Sequence, residues 1–396
     1  MRKIRKVEIG NFRSFSELKI DGIGDINIIV GKNNTGKSTF LEALFLSIGY
    51  RIAPSILRST LKTLFMKRGI QLLRSSFDNE EYEDFKKFIE KFFFYYDIPE
   101  AFINTDLGRF RIKKKRYSKF PISYLLRAYK DDLIRKTISK VLESKNLLNS
   151  FIEGRVIIGN LGEILFLENR KTEGLLQSLL YDVHSHELRG ILPFTYERNS
   201  ALVRNSRYQN YKTMIDTSLL CLKSNTSNMQ TLIKALEKFL LPGTYMNLKS
   251  KISSFFNSKV KSIYPSFSDI YIETETEKIP FSLVGDGIKN LALNIISLNL
   301  DKPTYVFLEE PETFLHPKMM DVLSKEIVCS GKRNQVFLTT HSLEFVENLL
   351  YYAKKSEEID VKVIGFYDLT DGKLDYEIYG KDQAYTIVNK LGEDIR

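Results

Sequence analysis

The sequence feature that most constrains this chain is a glycine-containing loop between an apolar run and a helix-forming run. The apolar residues 26–30 are followed by GKNNTGKST, which has the form GxxxxGKS/T. Gly31 and Gly36 allow the backbone to curl so that its N–H groups face a phosphate, and the following helix presents its positive N-terminus. Lys37 can then reach the β- and γ-phosphates, and the Ser38 hydroxyl can ligate Mg²⁺. The motif therefore predicts a site for a nucleoside triphosphate.

The residues on both sides of the loop argue against the alternative, a glycine-rich surface turn. Residues 26–30 have the pattern of a largely buried strand, and residues 38–46 have the pattern of a helix, which is the setting that the motif requires. The loop residues predicted to bind the nucleotide are Gly31, Asn33, Asn34, Thr35, Gly36, Lys37, Ser38 and Thr39.

Length and composition narrow the class of protein. The 396 residues, 43% of them hydrophobic, accommodate two domains or one domain with a large insertion. No run approaches the roughly 18 apolar residues of a membrane span, and residues 1–6 do not resemble a signal region. Cys221 and Cys329 lie far apart, which favours reduced thiols, and His184 and His186 lack further ligands for a metal. We therefore expect a soluble, cytoplasmic protein without a membrane partner.

Two blocks with nucleotide-site motifs define the predicted domain organisation. We assign residues 1–48 and 262–396 to a head domain and residues 49–261 to an insertion. Apolar and charged residues at helical spacing make the insertion mainly helical, apart from a β-hairpin near residues 155–167. Part of the insertion is expected to return to the head.

A basic run in the insertion, residues 109–119, has the sequence RFRIKKKRYSK. Cations interleaved with aromatic side chains are typical of a surface that contacts a phosphate backbone. An exposed strand edge protected by lysines is an equally good interpretation. The net charge of +10 is compatible with a nucleic-acid partner but does not indicate one.

Two further apolar strand patterns end in side chains suited to phosphate chemistry. Residues 305–312, YVFLEEPE, place Glu309 where a carboxylate can hold Mg²⁺ and Glu310 where one can orient and deprotonate a water. A buried strand capped by surface glutamates would be the better interpretation if the phosphate loop were absent. Residues 334–342 end in TTHS, which places His341 where it can contact a γ-phosphate oxygen or the attacking water.

A glycine-rich turn precedes another apolar helix pattern. It contains Gly285, Asp286 and Gly287. Consecutive backbone N–H groups in such a turn can bind an anion, although the turn alone is a weak signal.

Five motifs, in this order, resemble the ABC-type ATPase domain of the OLD (overcoming lysogenization defect) and RecF-like group, which is related to SMC proteins. They are NFRSF, GKNNTGKST, the GDG turn, FLEEPETFLHP and TTHS. The resemblance covers roughly residues 1–48 and 262–380. It implies an α/β fold, a P-loop NTPase with an ABC-type head in which helices flank a mixed β-sheet, and a large insertion lobe. It also implies binding and hydrolysis of ATP with Mg²⁺.

The resemblance implies a role for individual residues. Glu309 and Glu310 would be the metal ligand and the base, His341 would be the switch histidine, and Arg13 of NFRSF would join the nucleotide-binding residues. The stretch that resembles the D-loop, which contacts the opposite subunit, includes Glu312, Leu315 and His316. The GDG turn resembles the signature motif, which completes the nucleotide site of the other protomer in a head-to-tail homodimer.

The GDG turn departs from many relatives, which have a serine where this chain has Gly285. Ser282 lies three residues too early to replace that serine. Because the backbone N–H groups of the turn and the helix dipole can still bind phosphate, we expect hydrolysis to be retained, though slow. Residues 191–198 resemble the Pro-x-x-Arg strand that follows the insertion in relatives, and no Gln-loop ligand is assigned there.

The chain lacks the hallmarks of the nuclease and zinc-hook members of the group. OLD nucleases carry a C-terminal Toprim domain, whereas only 55 residues follow His341 (396 − 341), so we expect no nuclease activity from this chain itself. No CxxC motif or sustained coiled-coil pattern is present. Residues 368–372 contain two aspartates, but a β-hairpin turn is favoured there over a metal cluster.

These features together predict an ATP-driven, homodimerising switch. Two ATP molecules would join two heads, and hydrolysis at Glu310 would release them. The switch would act on DNA or on a separate nuclease or other effector, in antiviral defence or on mobile elements. Two alternatives stay open, a RecF-like repair clamp and a nucleotide-gated scaffold with little hydrolysis.

Overall fold

A computed structural model of the protein describes the parts of the chain that carry the nucleotide motifs. The described residues are 3–52, 91, 93–96, 98, 100–121, 151–159, 162–167, 244–256, 259–265, 269–299 and 305–388. The predictions for His184, His186, Cys221 and residues 191–198 concern positions outside these ranges.

Four parallel strands form the part of the main sheet that carries the motifs. They are β3 (Ile26–Gly31), β11 (Tyr305–Glu309), β12 (Gln335–Thr339) and β13 (Val361–Thr370), in the order β11-β12-β3-β13. All residues of β3, β11 and β12 are buried, as expected for strands covered on both faces. Thr339 pairs with Glu309 on one side and with Ile29 on the other. The carboxyl ends of these strands therefore meet at one edge of the sheet.

Antiparallel strands extend the same sheet to eleven described strands. They are β1 (Lys6–Phe12), β2 (Phe15–Asp21), β4 (Glu100–Thr105), β5 (Gly108–Pro121), β6 (Phe151–Gly159), β7 (Gly162–Leu167) and β14 (Lys373–Gly380). The full order is β11-β12-β3-β13-β14-β2-β1-β4-β5-β6-β7, and the short contact between β14 and β2 is parallel. The sheet is thus mixed, as the fold prediction states.

Helices cover both faces of β3. The helix α1 (Lys37–Ile52) lies on one face, where Ile29 and Phe40 belong to one apolar core. Ile28 and Val30 belong to a second core on the opposite face, because successive side chains of a strand point to opposite sides. Helices that contribute to the second core are α2 (Thr244–Ser253), α3 (Asp286–Leu298), α4 (Pro317–Ser330), α5 (Leu343–Lys354) and α6 (Lys381–Thr386). A small antiparallel sheet packs there too, formed by β8 (Val260–Pro265), β9 (Ile270–Thr274) and β10 (Lys278–Pro280).

Both predicted hairpins are present. Strands β6 and β7 form the hairpin expected near residues 155–167, with Gly159 paired to Gly162. Asp371 and Gly372 connect β13 to β14 with φ values of 50° and 73°, as a two-residue type I′ turn requires. Strands β4 to β7 lie within the predicted insertion and join the sheet of the head. The boundaries of the insertion and its mainly helical character stay predictions, since most of that segment lies outside the described residues.

The basic run lies in β5, between β4 and β6. Residues up to Lys113 pair with β4, and residues from Lys113 onward pair with β6. Apart from Lys113, the residues of the run that these registers pair thus have a described partner strand on one side, and the interpretation of the run as a strand edge protected by lysines stays a prediction. The interpretation as a nucleic-acid contact stays a prediction.

Candidate functional site

The phosphate-binding loop joins β3 directly to α1, as the sequence predicts. Gly31 has a φ of 141° and Gly36 a φ of 92°, in the region that favours glycine. A Cβ atom on Gly31 would lie 2.1 Å from the carbonyl oxygen of Phe366, and one on Gly36 would lie 2.6 Å from the ring of Phe15. Both glycines are therefore required by the close packing of the loop against β13 and β2.

Lys37, the first residue of α1, is buried at the centre of the loop. Its Nζ donates hydrogen bonds to the carbonyl oxygens of Gly31, at 2.7 Å, and Lys32, at 2.6 Å. Burial lowers the pKa of Lys37 to about 8, although the nearby Glu310 carboxylate opposes this shift. Two neutral carbonyls compensate a buried ammonium only in part, so the arrangement favours the arrival of an anion.

The other predicted loop ligands differ in exposure. Asn33 and Asn34 are exposed, and Asn34 has a positive φ of 65°. Thr35 is buried, and its hydroxyl donates to the carbonyl oxygen of Lys32 at 3.0 Å. The Thr35 side chain therefore stabilises the shape of the loop, and only its backbone is left to face a phosphate.

Arg13 lies in the turn between β1 and β2, beside the first turns of α1. Its guanidinium forms an ion pair with Glu42 of α1, and both side chains are buried, at 9% and 0% exposure. The hydroxyl of the adjacent Ser14 donates to Thr39 Oγ1 at 3.4 Å. The NFRSF motif is thus close to the phosphate loop, with the Arg13 charge directed at Glu42. A contact between Arg13 and a nucleotide stays a prediction.

Ser38 and Glu309 come together as the sequence predicts. The Ser38 hydroxyl donates to Glu309 Oε1 at 2.6 Å, and Glu309 is 8% exposed at the end of β11. Hydroxyl and carboxylate oxygens are ligands that Mg²⁺ prefers, usually together with phosphate oxygens. The two side chains therefore fit a Mg²⁺ ion at the phosphate loop.

Glu310 and His341 also meet, because they follow the neighbouring strands β11 and β12. His341 Nε2 lies 3.6 Å from Glu310 Oε1, and both side chains are partly exposed, at 37% and 38%. Glu310 has a φ of 45°, and its N–H donates to the carbonyl oxygen of Thr339 at 2.9 Å. A carboxylate and an imidazole are thus available to a ligand beside Lys37.

The glycine-rich turn forms the start of α3, with Gly285 as the N-cap residue. Gly285 has a φ of −59°, and a Cβ atom added to it would meet nothing within 4 Å. A Cβ atom on Gly287 would lie only 2.6 Å from the carbonyl oxygen of Phe314. Asp286 is exposed and lies 3.3 Å from Lys289. The turn is therefore open at Gly285 and closely packed at Gly287.

The helix α3, which follows this turn, is hydrogen-bonded to the segment after Glu310 of the same chain. Asn290 Nδ2 donates to the carbonyl oxygens of Pro311, at 2.9 Å, and Thr313, at 2.7 Å. The Ser282 hydroxyl donates to Asp269 Oδ2 at 2.5 Å. The Ser282 hydroxyl is thus bound to the residue that directly precedes β9, and the notion that Ser282 lies too early to replace a serine at position 285 stays a prediction.

Glu312 points into the protein, which sequence reasoning missed. Its Oε1 accepts hydrogen bonds from the Thr340 hydroxyl and, at 3.3 Å, from the N–H of His341. Burial raises the pKa of Glu312, although these two donors oppose the shift. His316, in the same D-loop-like stretch, is exposed and accepts from the N–H of Lys318 as the cap of α4. Within this stretch the Glu312 carboxyl therefore contacts its own chain.

Within the described ranges, no three or more histidine, cysteine, aspartate or glutamate side chains come together as a group that could hold a metal ion. In the same part of the chain, none of the helices combines the length and apolar character needed to cross a membrane. Cys329 is exposed and has a free thiol.

Known proteins are similar to this chain over most of its length. Residues 2–346 match the family described as the AAA ATPase domain. A Helicobacter pylori protein named ATP/GTP phosphatase is 28% identical over 379 residues, which cover 87% of each chain. Endonuclease GajA of Bacillus cereus is 23% identical over 402 residues, which cover 98% of this chain and 62% of GajA.

An SMC head is among the solved structures to which this chain is similar. The SMC head bound to the C-winged helix domain of ScpA has a TM-score of 0.42 and 13% sequence identity, over 97% of this chain and 100% of that one. The family match includes the phosphate loop, Glu309 and Glu310 at the end of β11, and His341, and it spans well over half of the chain. The chain therefore belongs to the AAA ATPase domain family.

Proposed function

We propose that this protein is an ATP-hydrolysing switch of the OLD and RecF-like group, whose heads dimerise around ATP. The observation that carries the proposal is the placement of Glu310 and His341, 3.6 Å apart at the ends of neighbouring parallel strands, beside the loop that presents Lys37. A carboxylate next to an imidazole at this position is suited to orient and deprotonate a water molecule. Membership of the AAA ATPase domain family and the relative named ATP/GTP phosphatase support hydrolysis.

Each side chain acts, in this proposal, from the position in which the fold holds it. The Lys37 ammonium exchanges its carbonyl partners for β- and γ-phosphate oxygens. Glu310 accepts the proton of the attacking water, and His341 donates a hydrogen bond to a γ-phosphate oxygen. Ser38 and Glu309 would hold Mg²⁺, which when bound neutralises charge on the phosphates.

The second half of each nucleotide site is proposed to come from the glycine-rich turn of another copy. Open space surrounds Gly285, so its backbone is available to a phosphate. The large apolar side chains nearby, Leu283 and Phe314, are 77% and 70% exposed. Exposed apolar side chains beside an open anion-binding turn are suited to a surface that a second head covers.

The proposed target is DNA or a DNA-directed effector such as a separate nuclease, in a cytoplasmic defence or mobile-element system. The relative GajA is named an endonuclease and aligns with 98% of this chain, and the cationic run in β5 would suit a phosphate backbone. Only 62% of GajA is covered, and we propose no nuclease activity for this chain by itself.

Steady-state ATP hydrolysis by the purified protein, with and without duplex DNA, tests the proposal. Glu310→Gln should lower kcat by about 100-fold or more and leave ATP binding intact, because only the proton acceptor is lost. The matched control is Glu277→Gln, which changes an exposed carboxylate beside β10 and should hydrolyse ATP at the wild-type rate.

The other outcomes separate the alternatives. Hydrolysis that DNA stimulates without any other protein would favour a RecF-like clamp. Biological function that survives Glu310→Gln but not Lys37→Ala would favour a nucleotide-gated scaffold. A wild-type rate of hydrolysis in Glu310→Gln would contradict the proposal, and DNA cleavage by the chain alone would contradict its separation from the nuclease.

A further inference from the structure

We propose that Glu312 is a positioning residue for ATP hydrolysis, which holds His341 in place through the main chain. This inference rests on the proposed roles of Glu310 and His341. Glu312 Oε1 accepts hydrogen bonds from the Thr340 hydroxyl and the His341 N–H, and the Thr340 hydroxyl in turn accepts from the N–H of Ser342 at 3.0 Å. One carboxylate oxygen therefore organises three consecutive residues at the tip of β12.

One short segment, residues 310–314, therefore contacts His341 at two points. Glu312 binds its main chain, and Glu310, two residues earlier, lies 3.6 Å from its imidazole ring. Any movement of this segment moves both contacts together. Glu312 thus sets the position of His341 relative to Glu310, the proposed base.

The stability of the fold does not explain a carboxylate at this position. Glu312 Oε2 is fully buried and has no hydrogen-bond partner among the described residues. Removing a carboxylate from water without a complete set of partners is unfavourable, and an apolar side chain of similar volume would cost less. An acidic side chain is expected here if the two hydrogen bonds that it accepts hold Thr340 and His341 in position for catalysis.

The segment held by Glu312 also contacts the glycine-rich turn. Glu310 and Phe314 have φ values of 45° and 66°, so the segment begins and ends with a left-handed residue. Asn290 of α3 binds two carbonyl oxygens within it, and the Phe314 carbonyl oxygen packs against Gly287. Glu312 is therefore the link through which a displacement at the start of α3 would reach His341.

Steady-state kinetics of substitutions at both ends of this hydrogen bond test the inference. Glu312→Leu and Thr340→Val should each lower kcat by about 10-fold while KM for ATP changes by less than about 2-fold, because each removes the hydrogen bond and neither residue is among the proposed nucleotide contacts. Thr340→Ser keeps the hydroxyl and should restore kcat. The matched control is Thr339→Val, since the buried Thr339 hydroxyl has no hydrogen-bond partner among the described residues.

A double variant identifies the route by which Glu312 acts. If Glu312 works through His341, then Glu312→Leu combined with His341→Ala should have the kcat of His341→Ala alone, within about 2-fold. Losses that multiply would overturn the inference, as would wild-type kcat in both Glu312→Leu and Thr340→Val when His341→Ala is slow. A wild-type kcat in His341→Ala would instead overturn the proposed role of the histidine, and the inference with it.

Discussion

The hydroxyl of Ser38 and the carboxylate of Glu309, 271 residues apart in the chain, are joined by a hydrogen bond of 2.6 Å. The serine is the second residue of α1, which follows the phosphate loop, and the glutamate ends β11, two positions from β3 in the sheet. Two oxygen ligands for a hard cation are thus brought together by the parallel order of the strands, before any nucleotide is bound.

The first prediction concerns the metal at this pair. Ser38→Ala and Glu309→Gln should each raise the Mg²⁺ concentration needed for half-maximal ATP hydrolysis by about 10-fold or more, because each removes one protein ligand. The measurement is a Mg²⁺ titration of the ATPase rate, and removal of Mg²⁺ with EDTA should stop hydrolysis by the wild type. Ser324→Ala, which removes a buried hydroxyl in α4, is the control. An unchanged Mg²⁺ requirement in both variants would contradict the assignment.

The second prediction is a pH dependence of ATP binding. Burial lowers the pKa of Lys37 to about 8 in the free protein, and a triphosphate should raise it, so ATP binds best when the ammonium is already charged. Affinity should therefore be constant below the free-state value and fall by about 10-fold as the pH rises from 7.5 to 9.5. Isothermal titration calorimetry in buffers of different ionisation enthalpy should detect proton uptake on binding at the high pH. An affinity for ATP that does not change over this pH range, while the protein remains folded, would contradict the prediction.

The third prediction uses the contrast between two glycines of the same turn. Gly285→Ser should fold normally, because φ is −59° and open space surrounds the position, and should raise kcat by about 10-fold by adding a hydroxyl for the γ-phosphate. Gly287→Ala should lower the melting temperature, because its Cβ atom would lie 2.6 Å from the Phe314 carbonyl oxygen. Thermal unfolding and ATPase assays of both variants check this. A slower Gly285→Ser enzyme with a normal melting temperature would contradict the proposed place of the turn in the nucleotide site.

The fourth prediction separates the two interpretations of Arg13. Breaking its buried ion pair with Glu42, by Arg13→Ala or Glu42→Gln, should destabilise the fold by about 3 kcal/mol or more, because an uncompensated buried charge or polar group remains. Lys19→Ala removes an exposed cation near two glutamates and should have little effect. Thermal and denaturant unfolding give the comparison. If Arg13→Ala retains full stability and loses only ATP affinity, the residue serves the nucleotide, as the NFRSF motif predicts.

The phosphate loop and the acidic strand could be predicted because their signals are local. Gly31 and Gly36 are required by backbone geometry, and Glu309 and Glu310 lie at the end of an apolar strand. The pairing of these elements in space then follows from the rule that parallel strands end at one edge of the sheet.

Other features depend on contacts that no local pattern encodes. The inward direction of Glu312 depends on the left-handed backbone at Glu310 and Phe314, and both residue types are uncommon in that conformation. The partner of Arg13 lies 29 residues away on α1. The partner of the second part of β5 is β6, which comes from a later part of the chain.

The central claim is that ATP joins two heads, and light scattering of Glu310→Gln tests it most directly. With Mg²⁺ and saturating ATP, this variant should bind ATP without hydrolysing it and should have about twice the chain mass of 46.0 kDa. The same variant without nucleotide, and the double variant with Lys37→Ala, should stay at the mass of one chain. A Glu310→Gln protein that remains monomeric at saturating ATP would contradict the account.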